Sequence, residues 1–264
     1  MMKYLWFILI TLLAVSASSQ VRVDSLIDSS TIDDTYIAGG IPALNNYGVS
    51  TRLSTAASNA RAILIRPAAF AMLITPTTYK IDSMELILVI DSVDISNSRG
   101  DSAILMRRDW QEGALNGTTA ALLIGCNWNK YGSTEFEEDF AWETAGALGT
   151  SADRYATGYD IDSTYTTDVA GDSTANFMLR DTAVLRAMRD NDANYAGGIA
   201  IRQVNSGTTH FGSTEHATAG RRPKFRIYSH LIPTGTNQRL SAGSLGMRLR
   251  AGTVGKRLKP DYGH

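Results

Sequence analysis

From Val21 onward the hydrophobic positions recur in short runs between polar turns, and most runs have a period of two. In "MELILVIDSVDIS", Met84, Leu86, Leu88 and Ile90 fall on one side of an extended chain, Ile87 and Val89 on the other. Apolar residues on both sides predict a strand deep inside a sandwich. "SNARAILIRPAAF" predicts a second strand from Arg61 to Arg66, ended by Pro67, which lacks an N–H. "GGIAIRQV" and "PKFRIYSHL" alternate more cleanly, with Ile199 and Ile201, then Phe225 and Ile227, pointing one way. Between these runs lie "AGGIPALNNYG", "SNSRGDS" and "NSGTT", all turn chemistry. Many short strands at such intervals predict an all-β fold, an antiparallel β-sandwich of jelly-roll type.

One run has a different period. "RDTAVLRAMRDND" places Val184, Leu185 and Met188 at helical spacing, behind Asp181 as an N-cap. Arg186 and Arg189 lie toward the end where the helix dipole favours positive charge. This predicts one short helix with a narrow apolar stripe, suited to covering an open end of the sandwich.

The ends of the chain read differently from its middle. "MMKYLWFILITLLAVSASSQ" has a lysine, an apolar run from Leu5 to Val15 and then small residues. That run falls short of the about 20 apolar residues of a membrane helix. It has the form of a cleaved signal peptide over residues 1–20, which predicts a secreted protein with no membrane span after cleavage. Residues 21–232 then form the module. From 233 to 264 the chain is glycine-rich and basic, with six Lys and Arg from Arg239 onward against Asp261. That composition predicts a tail that is flexible, or that docks on a partner or mediates self-association.

Composition narrows the possible functions. With 264 residues and 44% apolar positions, the chain is long enough for one sizeable β-domain. A formal net charge of −1 argues against nucleic acid as a specific partner. Cys126 is the only cysteine, so no internal disulfide can form and the fold must rest on its core. Its apolar surroundings predict a buried, inert thiol.

Candidate chemistry is sparse. "THFGSTEHATAGRRPKFRIYSH" holds three of the four histidines, and His210, Glu215 and His216 suggest zinc ligands at first sight. In one strand the two histidines would lie about 20 Å apart, and in a helix they would be turned about 240° from each other. Neither spacing suits a tetrahedral site. No G-x-S-x-G elbow, phosphate-binding glycine loop or H-E-x-x-H motif is present. "STEFEEDFAWE" bunches Glu135, Glu137, Glu138, Asp139 and Glu143, as solvated loops do, rather than placing two carboxyls across a groove. His210 beside Arg221 or Arg222 is the one candidate for a lyase-like base with a cation.

Aromatic residues next to turns are the better ligand candidates. Trp110, Trp128, Trp142, Tyr131 and Tyr47 sit beside glycine- and asparagine-rich segments, where exposed rings can stack on sugars. Tyr47, Trp110 and Trp142 are the expected glycan contacts. Asp33 and Asp34 in "DSSTIDDTYI" are the calcium candidates, although adjacent residues point to opposite sides of a strand. A structural calcium is thus possible there, and no cofactor is required.

The order of these pieces resembles the secreted DNRLRE-type domains, related to carbohydrate-binding module family 96. The resemblance runs from "DDTYI", "NNYG", "ARAILIR" and "MELILVI" through "DWQEGALNGTTA", "CNWNKYG" and "FAWETAGALGTSADRY". It continues to "TAVLRAMRDN", "NYAGGIAIR" and "HFGSTEHATAGRRPKFRIYS", covering about residues 31 to 229. Phe211, Ser213, Glu215, Pro223, Ile227 and Tyr228 match its closing strands, which makes His210 and His216 incidental neighbours. Met188 stands where the family's helix carries a tryptophan, and Pro67 interrupts the stretch after "ILIR". The resemblance implies a jelly roll acting as a non-catalytic module, with glycan binding known for some members. The expectation is therefore a secreted carbohydrate-binding or surface-adhesion module, whose partner is a polysaccharide or cell-surface glycan. The alternative is a structural subunit of an extracellular fibre, matrix or virion, assembled through the terminal segments.

Overall fold

The computed structural model describes residues 21–27, 29–56, 60–68, 79–93, 101–117, 125–132, 140–156, 161–166, 173–190, 192–203 and 207–232. The expected signal peptide and the expected tail lie outside the described residues. The chain up to Leu231 forms one unit, to which the following applies.

The alternating runs become strands. They are β1 (Val21–Leu26), β2 (Ile32–Ala38), β3 (Arg52–Ala56), β4 (Arg61–Pro67), β5 (Tyr79–Val93), β6 (Asp101–Leu105) and β7 (Lys130–Gly132). Then follow β8 (Phe140–Ala141), β9 (Ile161–Thr166), β10 (Thr174–Leu179), β11 (Ile199–Gln203), β12 (Thr208–Gly212) and β13 (Lys224–Leu231). Eleven of them join one large, curled antiparallel sheet, and β7 pairs with β8 separately. Among the described residues the protein is thus mostly β, with one short α-helix.

β5 links the sheet's two halves. It pairs with β13 over residues 79–87, with β10 over 84–89 and with β12 over 90–93. On one side of this long strand the order runs through β13 to β1, and β10 continues to β9. Beyond β12 the order runs β3, β4, β11 and β6, with β2 also paired to β4.

β4 is apolar on both faces. Ile63 and Ile65 point into the main core with Leu53, Ile199, Ile201, Phe211 and the inner side of β5. Ala62 and Leu64 point the other way, into a second cluster with Ile37, Ala200, Met106, Trp110, Cys126, Trp142 and Ala147. The second cluster exists because the long connection after β6 folds back over β2, β4 and β11. β5 differs from its expectation for the same reason. Met84, Leu86, Leu88 and Ile90 are buried, but Ile87 and Val89 are only half-buried. The covering segment contributes its apolar side chains over β4 and β11, so the outer side of β5 is not dry.

The helix α1 (Thr182–Arg189) forms as its pattern predicts. Asp181 accepts from the N–H groups of Ala183 and Val184, and Val184, Leu185 and Met188 enter the main core. The capping carboxylate supplies an acceptor to two N–H groups that have no partner inside the helix. Among the described residues no helix is long and apolar enough to cross a membrane.

If both faces of β4 are true cores, truncating either should cost alike. Leu64→Ala and Ile63→Ala are each expected to lower unfolding stability by about 2–5 kcal/mol. Chemical denaturation checks this, and a near-neutral Leu64→Ala would mean that the outer cluster is not a packed core.

Candidate functional site

Two buried polar side chains hold the segment that covers the outer face. Asn46 is fully buried and uses its whole hydrogen-bonding capacity. Its amide nitrogen donates to the carbonyls of Glu112 (2.7 Å) and Cys126 (2.8 Å). Its oxygen accepts from the N–H groups of Gly48 and Leu115, both at 3.1 Å. One side chain therefore ties three loop segments together, and Gly48 makes the fit possible. A Cβ there would lie 2.4 Å from the carbonyl oxygens of Glu112 and Gly113.

Asp153, also fully buried, does the same further along the chain. Its oxygens accept from Arg108 Nε and from the N–H groups of Glu143, Thr144 and Gly149, at 3.0–3.1 Å. Four donors offset the cost of burying one carboxylate. Glu143 turns back to accept from the N–H groups of Ser151 and Ala152, so it closes its own loop. The rest of the acidic run, Glu135 to Asp139, lies outside the described residues.

This scaffold places two of the expected glycan contacts inside the protein. Trp110 is 1% exposed; its indole N–H donates to the Gly197 carbonyl and Arg66 lies over its ring. Trp142 is 5% exposed, donates to the Asn127 carbonyl and packs against Tyr131. Neither ring offers a face to a sugar. Both are core, because the outer face of β4 needs large apolar groups and each indole N–H finds a carbonyl there. Trp128 is half-buried, wedged so closely against the backbones of Gly39 and Gly146 that a Cβ at either would sit 2.6–3.0 Å from its ring. Gly146 also has a φ of +82°, which suits glycine. Cys126 is fully buried, and burial pushes its thiol far above the ordinary range.

Tyr47 alone among the three remains partly open. One face stacks on Tyr36 with ring centroids 4.0 Å apart, and the residue is half-buried. A polar strip runs across β3 and β12, and Arg61 links it to this pair. Arg61, whose charge is felt at the Tyr36 hydroxyl, donates to Ser54 Oγ at 3.0 Å. Ser54 lies opposite His210, and His210 opposite Ser92 of β5, so these side chains share a face. Next to Ser92, Asp91 occupies the register shift between β5 and β12. Its largely buried carboxylate pairs with Arg52 at 2.5 Å and with Arg221, and His216 Nε2 lies 3.9 Å away. Arg222 is turned elsewhere and donates to the His216 carbonyl.

The strip borders a group of carboxyls. Asp34 is 1% exposed and accepts from Thr214 N–H at 2.8 Å, while its own N–H donates to Glu112 Oε1 at 2.8 Å. Thr214 Oγ1 lies 3.2 Å from Asp34 Oδ1 and 2.7 Å from Glu215 Oε2. A hydroxyl has one proton and satisfies one of these oxygens, so the other carboxyl completes the arrangement only by carrying a proton itself. Electrostatics agree. Burial, with the charges of Glu215 and Glu112 added, raises Asp34 well above the carboxylate range. Burial likewise pushes Glu112 up to about 7.

The calcium candidates do not share a site. Asp33 leaves β2 on the outer face and pairs with Arg66 at 2.7 Å, while Asp34 leaves it on the inner face toward Thr214. Among the described residues no three His, Cys, Asp or Glu side chains converge to hold a metal ion.

No spacing in the sequence singles out the roles of Tyr36, Asn46, Arg52, Arg61 and Asp91. Asn46, Arg52 and Asp91 act mainly through partners distant in the chain. No protein-family model matches this chain, and no curated protein matches it.

The carboxyl group sets a pH dependence. Asp34 and Glu112 hold protons in the fold that the unfolded chain, with carboxyl values of 3.8 and 4.5, releases. The contribution of Glu112 is complete below its unfolded value of 4.5 and is lost as pH rises through about 7, and that of Asp34 has the same sign. Allowing for solvent screening at Glu112, the loss is on the order of 1–2 kcal/mol. Thermal melts from pH 4.5 to 8 should show it, and Glu112→Gln should flatten the slope. An unchanged slope in that variant would remove Glu112 as its cause.

Proposed function

We propose that this chain is a secreted, non-catalytic β-module that binds carbohydrate or serves in surface adhesion, with an acidic polysaccharide as its ligand. The observation that carries this reading is the strip from Arg61 to Arg221. Arg52 and Arg221, with His216 near them, meet at the single carboxylate of Asp91. Arg61 and His210 extend the row along Ser54. Guanidinium forks match carboxylate and sulfate groups in pairs of hydrogen bonds. Arg52 keeps 57% of its side chain exposed and Arg221 34%, so both can reach a ligand while Asp91 aligns them. Tyr47, half-buried against the Tyr36 ring and Gly117, is the aromatic residue left to stack on a sugar.

The fold we propose at finer grain is a jelly-roll sandwich. The shared strand β5 and the core between its two halves support it. The resemblance to DNRLRE-type domains and carbohydrate-binding module family 96 supports the same reading, and the leader-like residues 1–20 support secretion. Within this reading the tryptophans serve stability, and ligand contact passes to Tyr47 and the arginines.

Binding to a panel of acidic and neutral polysaccharides, followed by calorimetry with a reducing-end assay on the same samples, tests it. Saturable binding to acidic polymers without product is expected, weakening with salt. Arg52→Ala combined with Arg221→Ala should reduce affinity about tenfold or more, since each lost charge-assisted bond counts heavily. Tyr47→Ala should weaken binding without lowering the melting temperature as far as Trp110→Ala does. Equal binding of neutral polymers, indifferent to the arginine variants, would sink the assignment of the site.

A further inference from the structure

The outermost strand of the sheet, β1, is an edge whose chemistry complements itself. β1 pairs with β13 alone among the described strands, so its other edge carries no ladder there. Its burial alternates, with Val21 63% and Val23 50% exposed and Leu26 buried. Leu231 at the end of β13 and Ile27 just after β1 add exposed apolar groups at 46% and 49%. Natural edges are commonly blunted by charged side chains. The two on β1 are of opposite sign, Arg22 and Asp24, two residues apart and paired within the strand at 2.8 Å, with the Arg22 guanidinium also over the Tyr79 ring.

That spacing decides the occupant. If β1 meets a second β1 antiparallel about a two-fold axis at Val23, Arg22 of each copy falls opposite Asp24 of the other. Val23 then faces Val23 on the opposite side of the sheet, and Val21 faces Ser25. Opposite charges directly across an antiparallel pair stabilise it, and like charges do the reverse. A symmetric pairing uses the same patch twice, as two-fold assemblies require. We propose that the protein self-associates through edge-to-edge antiparallel pairing of β1, centred on Val23. The halves β1-β13-β5-β10-β9 of two copies then form one continuous sheet. This goes beyond glycan binding: the strip at β3 and β12 lies on other strands, so two copies would present two such strips on one assembly.

Sedimentation equilibrium of the full chain at rising concentration tests it, with Arg22→Asp, Asp24→Arg and the double exchange made in parallel. The wild type is expected to show a concentration-dependent dimer. Each single variant places like charges opposite each other twice per dimer and should weaken association about tenfold or more. The double exchange restores complementarity and should return the dimer. A mixture of the two single variants should form a heterodimer, because one then presents two acidic side chains on β1 where the other presents two basic ones. Circular dichroism and melting of each variant confirm folding independently of association. A wild type that is monomeric throughout, or a dimer indifferent to the single variants, overturns the proposal.

Discussion

The structure depends on one constraint: a strand with apolar side chains on both faces cannot leave either face in water. β4 meets it with four consecutive fully buried residues, Ala62 to Ile65. The inner face is covered by the curl of the sheet itself. The outer face has no second sheet over it among the described residues, and the connection between β6 and β9 takes that role. That connection has little regular structure of its own among the described residues, apart from the short pair β7–β8. It must therefore bring both its apolar cover and a means of satisfying its own backbone.

Trp110, Trp142, Met106 and Cys126 provide the cover, and Asn46 and Asp153 satisfy the backbone. A covering loop exposes N–H and C=O groups to a dry surface, which is costly unless they are paired. Asn46 accepts and donates twice each, and Asp153 accepts four times. Arg202, 3% exposed, adds a contact from below, reaching the carbonyls of Gly146 and Ala147. Burial, with the charge of Arg154, lowers its guanidinium to about 10. The tryptophans are thus explained by the needs of the sheet, and the ligand reading moves to the polar strip across β3 and β12.

There the polar groups follow from the same geometry. β3 leaves β4 after one shared pair, Ala56 with Arg61, and runs on beside β12. This divergence brings Arg61 to Ser54 and leaves the outward side of β3 and β12 without apolar cover among the described residues. The bulge at Asp91 turns one carboxylate toward Arg52 and Arg221, which holds the cations in a row instead of leaving them to spread apart. The neighbouring Asp34 carboxyl is held by the Thr214 N–H and, favoured in its neutral form by burial, places little negative charge beside the row.

Periodicity alone determined much of this protein: the strand from Arg61, which runs one residue further than expected to pair Pro67 with Ile32, the strands over Ile199–Gln203 and Lys224–Leu231, the inward sides of Ile199, Ile201, Phe225 and Ile227, and the helix with its Asp181 cap. These features rest on local rules, period two, period 3.6 and a side chain capping its own next turn, which act between residues a few positions apart. Whether Trp110 faces water, whether Ile87 is covered and which arginines stand together were decided only by the tertiary structure. Tryptophan beside glycine reads the same in a binding loop and in a loop folded onto a sheet, since the difference lies in what is opposite it. Asp91 and Arg52 are brought together by the pairing of β5 and β3 with β12, and Arg221 joins them from the turn before β13, a meeting that no spacing in the sequence encodes.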